Sequence, residues 1–365
     1  MTAAERFATW ALELELGAVP PLVVEAAKLH MLDVLGCGLA AHGLGVATEG
    51  RSTMVELGGE PEASVIGLDT GLPAANAAFA NAMLCHGLDG DDTHSDAFSH
   101  VATGVVPAAL AVAEAHGSTG RELLTAVIAG NELVTRIGMA RPGAFHERGF
   151  HPTAICGIFG ATAAAARLGG SSAGDAASAL GIAGSMASGL FAYLDDATAT
   201  KPVHPAWAAH GALLAARLAA HGAEGPPGVL EGRFGVFHAF LDTRIYLEPQ
   251  LADLGERWET LRIAFKPYPA CHFIHGSLGA TGTLCDGIDP SEIDDVVVFV
   301  PEAGVSLVLE PAASKVAPRT DYEGKFSLQY STAAMLVHGR VGLATYTPEA
   351  LADPLVLYLA RKVRY

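Results

Sequence analysis

The sequence predicts a mainly α-helical protein, with a large helical domain over residues 1–262 followed by a smaller α/β domain over 263–365. Three observations carry this reading. Apolar residues recur at three-to-four spacing through most of the first 262 positions. Those apolar faces are rich in Ala and Gly, which lets helices approach closely. A β-branched run, Ile293-Asp-Asp-Val-Val-Val-Phe-Val-Pro301, then changes the texture to that of a strand.

The helical pattern begins at residue 3. Residues 20–42 open on Pro-Pro and carry Leu22, Val23, Ala26, Ala27, Met31, Val34 and Leu35 as one apolar face. Segments 73–86, 101–116, 120–138, 151–168, 173–189 and 204–222 follow the same rule. His116-Gly-Ser-Thr-Gly120 and Gly169-Gly-Ser-Ser172 separate helices, the second ending in Ser caps. Ala63-Ser-Val-Ile-Gly67 is a short strand-like exception. Past the run at 293–301, helical patterns return at 325–338 and 347–363. The tail Arg361-Lys-Val-Arg-Tyr365 reads as the start of another strand. A strand without a partner leaves backbone groups unpaired. The smaller domain is therefore expected to be incomplete at its C-terminus, or completed by another chain.

Composition bounds the function. The chain has 365 residues, half of them hydrophobic, which suffices for a substantial core. A formal charge of −17 argues against nucleic acid or an anionic membrane as partner. It does not exclude a small anionic substrate, because a pocket sets its own field. Five scattered cysteines without a CxxC pair suit a reducing cytoplasm. The first residues lack the pattern of a signal peptide, and charges interrupt the apolar stretches before they reach a membrane-spanning length. P-loop, dinucleotide-binding and GxSxG motifs are absent, which removes support for nucleotide hydrolysis, dinucleotide redox and hydrolase-fold chemistry.

Five constellations have chemical content. The segment His86-Gly-Leu-Asp-Gly-Asp-Asp-Thr-His-Ser-Asp-Ala-Phe-Ser-His100 interleaves carboxylates with imidazoles and contains neither Lys nor Arg. It reads as an active-site wall, a solvated acidic loop or, with less support from ligand spacing, a metal site. Arg148-Gly-Phe-His-Pro152 leads into a helix and could form a carboxylate-binding corner around His151, or merely a cap. Asp195-Asp-Ala-Thr-Ala-Thr-Lys-Pro-Val-His204 offers Lys201 and His204, with a surface lysine as the alternative. Phe265-Lys-Pro-Tyr-Pro-Ala-Cys-His-Phe-Ile-His-Gly276 brings Lys266 together with Cys271, His272 and His275, the two histidines sharing a helix face. Gly324-Lys-Phe-Ser-Leu-Gln-Tyr330 offers Lys325, Ser327 and Tyr330 to an anion.

In this order and spacing the chain resembles the MmgE/PrpD family of 2-methylcitrate dehydratases, cis-aconitate decarboxylases and iminodisuccinate epimerases. The resemblance rests on Leu32-Asp-Val-Leu-Gly36, His86-Gly-Leu-Asp-Gly-Asp-Asp-Thr-His94, Gly149-Phe-His151, Thr200-Lys-Pro-Val-His204, Leu230-Glu-Gly-Arg-Phe-Gly235 and Lys266-Pro-Tyr-Pro-Ala-Cys271. It implies an all-helical domain with an α/β lid, a homodimer, and cofactor-independent, metal-free chemistry on a small di- or tricarboxylate. It implies Asp89, Thr93, His100, His151, Lys201, Lys266, Cys271 and Tyr330 as active-site residues, with Asp91, Asp92, His94 and Asp96 in support.

The chain also departs from the family. Decarboxylase-like members tend to carry His where this chain has Cys271, and Pro-Ser often follows the position of His100. Family members also run about ninety residues further, as their motifs imply, so the lid is expected to be truncated.

The expected function is a hydro-lyase of a hydroxy-tricarboxylate such as 2-methylcitrate. Lys201 and Lys266 would hold carboxylates, and His151 or His100 would be the base. Alternatives are an epimerase of an imino- or amino-dicarboxylate such as iminodisuccinate, a cis-aconitate-type decarboxylase, and a non-catalytic carboxylate-binding remnant.

Overall fold

A computed structural model describes residues 1–196 and 198–365 and is predominantly α-helical. Ala197, inside the Asp195–His204 constellation, lies outside the described residues. The chain divides into two units. The first comprises Met1–Gly87, Asp91–Phe191 and Thr200–Phe265; the second comprises Leu88–Gly90, Ala192–Ala199 and Lys266–Tyr365.

The longer helices of the first unit are α1 (Ala3–Glu13), α2 (Pro21–Leu44), α3 (Ala74–His86), α4 (Ala102–His116), α5 (Gly120–Met139), α6 (Pro152–Leu168), α7 (Ala173–Gly184) and α8 (Val203–Ala220). At its centre α6 buries every residue except Arg167 and packs against α4, α5, α7 and α8. Small residues make this possible. A Cβ on Gly160 would stand 2.4 Å from the Gly130 carbonyl oxygen, so α5 and α6 meet backbone to backbone. The segment predicted as helical to residue 189 ends at Gly184.

The predicted apolar face of α2 needs correction. Its buried positions are Val23, Ala27, His30, Val34, Gly38 and Ala41, while Leu22 is 74% exposed. Leu29, Leu32, Leu39 and Leu44 are exposed as well. Apolar residues thus lie on two sides of this helix, and spacing alone does not say which side is inward.

Strand is scarce. In the first unit β1 (Thr93–His94) pairs antiparallel with β2 (Ile263–Ala264), Thr93 opposite Ala264. Ala63 forms an isolated bridge to Leu72 where a strand-like stretch was expected. In the second unit β3 (Val296–Val297) pairs in parallel with β4 (Val363–Arg364). Of the β-branched run only two residues join a ladder, and the C-terminal tail, expected to lack a partner, finds one in that run. Helices α9 (His272–Leu284), α10 (Leu328–His338) and α11 (Pro354–Ala360) supply half of the second core, α10 packing on both others.

Candidate active site

The site in the first unit is assembled from helix starts. His151 is the N-cap of α6, with extended backbone and Pro152 at the first helical position. The Asp92 carboxylate accepts the Val101 and Ala102 N–H groups at 3.1 Å each, satisfying donors at the start of α4. Its other oxygen stands 3.0 Å from His30 Nδ1. The His100 N–H donates to Thr153 Oγ1 at 3.0 Å, tying segment 86–100 to α6.

These anchors bring together six side chains from three of the predicted constellations. Asp91 Oδ2 accepts from His86 Nδ1 at 2.7 Å and lies 3.1 Å from His100 Nδ1. A carboxylate only accepts, so the His86 and His100 Nδ1 atoms facing it are the donors. Burial alone would raise the Asp91 pKa, but His100 and His86 outweigh it and hold the carboxyl well below its usual range. Lys201 Nζ lies 3.5 Å from His100 Nε2 and is 97% buried with its side chain.

His151 Nδ1 and His204 Nδ1 stand 3.0 Å apart, one donating to the other. Burial pushes the His151 pKa well below the imidazole range, with His204 and Lys201 adding repulsion of a second positive charge. Burial, His86 and Lys201 lower His204 to about 4. The pair is therefore neutral at pH 7. Nitrogens of His86, His100 and His151 lie within 4.8 Å of one another. Three imidazoles so placed are a ligand set for a metal ion. Lys201 beside His100 adds a positive charge at this point, which favours an anion over a cation.

Thr93 is buried in β1. The sheet is fixed from behind by the Glu132 carboxylate, which accepts the Thr260 N–H and hydroxyl at 2.8 Å each. His94 Nε2 approaches Glu259 Oε2 at 3.1 Å, closing the same brace onto the 86–100 segment. His86 was not singled out by the sequence, although it fell within the segment. Its fifth-neighbour relation to Asp91 carries no signal until the chain turns between them.

In the second unit Asp89, followed by Gly90, adopts a left-handed backbone (φ 54°), a conformation that Asp tolerates better than most residues. Its carboxylate and its carbonyl accept from Lys266 Nζ at 2.8 and 2.7 Å. Both side chains are fully buried, so this ion pair neutralises itself. Cys271 is the N-cap of α9 and its N–H donates to the Lys325 carbonyl. The His272 and His275 rings lie 5.3 Å apart, and His275 Nε2 donates to the Ala270 carbonyl at 3.0 Å. Burial and Lys266 lower the His275 pKa to about 4. Lys325 Nζ reaches Asp321 at 3.3 Å, and the Tyr330 hydroxyl lies 2.9 and 2.8 Å from the Thr345 and Ala350 carbonyls. In this structure these two side chains face partners of their own unit.

Sequence comparison bears on these arrangements as a whole. The MmgE/PrpD N-terminal domain matches residues 5–247, and the MmgE/PrpD C-terminal domain matches residues 268–365. The chain belongs to the MmgE/PrpD family. Among curated MmgE/PrpD-like relatives, the cis-aconitate decarboxylase-like protein oryM of Aspergillus oryzae is 30% identical over 97% of this chain and 77% of its own length. The cis-aconitate decarboxylase of Homo sapiens is 30% identical over 98% of this chain and 75% of its own. That of Aspergillus terreus is 30% identical over 97% and 76%. Among the described residues, no helix of this MmgE/PrpD chain is long and apolar enough to cross a membrane.

Proposed function

We propose that this chain is a cofactor-independent lyase that removes water from a small hydroxy-tricarboxylate such as 2-methylcitrate. The observation that carries the proposal is the buried, neutral His151–His204 pair in the unit that holds Lys201. Dehydration takes a proton from the carbon next to a carboxylate. That electron pair forms the C=C bond, the C–O bond of the neighbouring carbon breaks, and the hydroxide leaves as water once protonated. The base must be unprotonated at neutral pH, and burial provides this for His151. With its Nδ1–H given to His204, the His151 Nε2 lone pair is the abstracting atom. Lys201 stabilises the enolate-like charge that develops on the carboxylate. His151, now protonated at Nε2, returns that proton to the leaving hydroxyl, and His100, held by Asp91, lies beside Lys201. Thr93 hydrogen-bonds a carboxylate or hydroxyl of the substrate. Of the second unit's residues, Asp89, Lys266 and Cys271 are proposed as catalytic, and His272, His275, Lys325 and Tyr330 as substrate-binding.

Decarboxylation is the second reading, favoured by relatives that carry the name cis-aconitate decarboxylase at 30% identity. That reaction breaks a C–C bond, releases CO2, and requires a proton donor for the resulting carbanion rather than a base. Histidines kept neutral by burial suit the first requirement better than the second. NMR of the full chain in deuterated water, with 2-methylcitrate, cis-aconitate and iminodisuccinate offered separately, distinguishes the branches. The expected outcome is an alkene from 2-methylcitrate. Loss of CO2 from cis-aconitate alone would replace the first reading with the second. Deuterium entering recovered iminodisuccinate without loss of water would assign an epimerase.

A homodimer belongs to the same proposal. The exposed leucine row of α2 supports it, because a row of this length on one helix is an apolar surface in need of cover.

A further inference from the structure

The second unit holds a cavity of about 220 Å³ that shares no lining residue with the candidates above. Its walls are aromatic and apolar: Tyr193, Tyr322, Phe326 and Leu194. The Tyr193 ring meets those of Tyr322 and Phe326 edge-on at 6.5 and 6.2 Å, which makes the walls stiff. Lys315 is the buried polar group of the lining, 9% exposed. Its ammonium donates to the Leu307 and Phe326 carbonyls at 2.7 and 2.8 Å. Among the described residues no carboxylate comes within ion-pair distance of it. An ammonium has three N–H donors and a full positive charge, and two neutral carbonyls do not offset the cost of burying that charge. Burial lowers its pKa to about 8, which leaves it mostly charged at neutral pH.

We infer that this cavity binds a small monocarboxylate with a branched or ring-shaped apolar body, its carboxylate on Lys315 and its body against the Tyr193–Tyr322–Phe326 wall. The other charges of the lining decide the class. Arg319 is engaged by Glu323 at 2.8 Å, so its charge is already answered. Asp195 would repel a second carboxylate, which disfavours di- and tricarboxylates. A cation is disfavoured despite the aromatic walls. Lys315 lines the cavity, and Lys325 Nζ already stands 5.3 Å from the Tyr322 ring centroid. The inference goes beyond the proposed reaction and does not depend on it.

Calorimetry and saturation-transfer NMR on the full chain test it, with isovalerate and benzoate as probes and acetate and succinate as comparators. Isovalerate or benzoate is expected to bind at least tenfold more tightly than either comparator. Lys315→Met is expected to weaken that binding at least tenfold. Ser314→Phe, which fills the cavity from its partly exposed helix and keeps Lys315, is expected to abolish it with an unchanged melting temperature, and it decides the matter should Lys315→Met fail to fold. His151→Ala is expected to leave probe binding unchanged. Absence of binding at millimolar concentration overturns the inference. So does binding that survives Ser314→Phe or disappears with His151→Ala.

Discussion

Asp91 holds two imidazoles on one carboxylate oxygen, and these contacts fix how the His86 and His100 rings are turned. Replacing it with Asn keeps the shape but offers an amide in place of the charge. Asp91→Asn is expected to lower turnover between tenfold and a hundredfold while KM changes little, since Lys201, the proposed carboxylate-binding group, is untouched. A KM rise with unchanged turnover would refute that assignment. His151→Ala and Lys201→Ala each remove a proposed reacting or charge-stabilising group. Each is expected to cut turnover at least a hundredfold while circular dichroism shows an intact helical fold. Near-wild-type rates in both would sink the proposed chemistry. Much of this was legible in the sequence, because His100, His151, Lys201 and His204 stand in unusual local contexts. His86 was not, because a histidine at the end of an Ala-rich helix looks like any buried or capping residue. Lys315 was equally hidden, since only burial without a counter-ion distinguishes it from a surface lysine.

At the scale of elements, α2 is the instructive case. A helix with apolar residues on two sides satisfies the three-to-four pattern twice, and only packing selects Val23, Ala27 and Val34 over Leu22, Leu29 and Leu32 as the inward set. The outward set carries the prediction. Replacing Leu29, Leu32 and Leu39 together with Ser is expected to convert a dimer to a monomer in light scattering, with helical content retained. An unchanged mass for that variant would move the association elsewhere, and a monomeric wild type would remove it. The α5–α6 contact obeys a different rule. Gly130 and Gly160 cost a helix some intrinsic stability, yet, as the Ala- and Gly-rich faces led one to expect, they let two buried helices touch at the backbone. The β-branched run 293–301 shows the converse, for strong strand propensity produced a ladder only where Val363 and Arg364 lay alongside.

For the whole molecule, the depressed histidines make stability depend on pH. His204 has its folded pKa near 4 against an unfolded value of 6.5, so the unfolded chain binds more protons between those values. Stability is full above the unfolded pKa and declines as pH falls. At pH 5 this one group withdraws about 2 kcal/mol, and His151 acts in the same direction. Asp33, raised to about 6 by burial and by Asp92 and Asp91, works the other way and offsets part of the loss. Melting temperatures recorded from pH 7 to pH 5 are expected to fall, and less steeply in His204→Gln. Identical slopes for the two proteins would show that His204 does not titrate as described.

The sequence by itself determined the helical class, the family, the order of the five constellations and most of the polar side chains gathered in the first unit. Periodicity and local motifs are properties of neighbouring residues, and they survive without knowledge of the fold. Tertiary structure alone decided which side of α2 faces inward, which histidines share Asp91, that Lys266 is answered by Asp89, and that Lys315 is buried with no carboxylate among the described residues in ion-pair reach. Each of these depends on groups far apart in the chain being desolvated together. Burial sets the strength of every charge involved, and no stretch of sequence states its own burial.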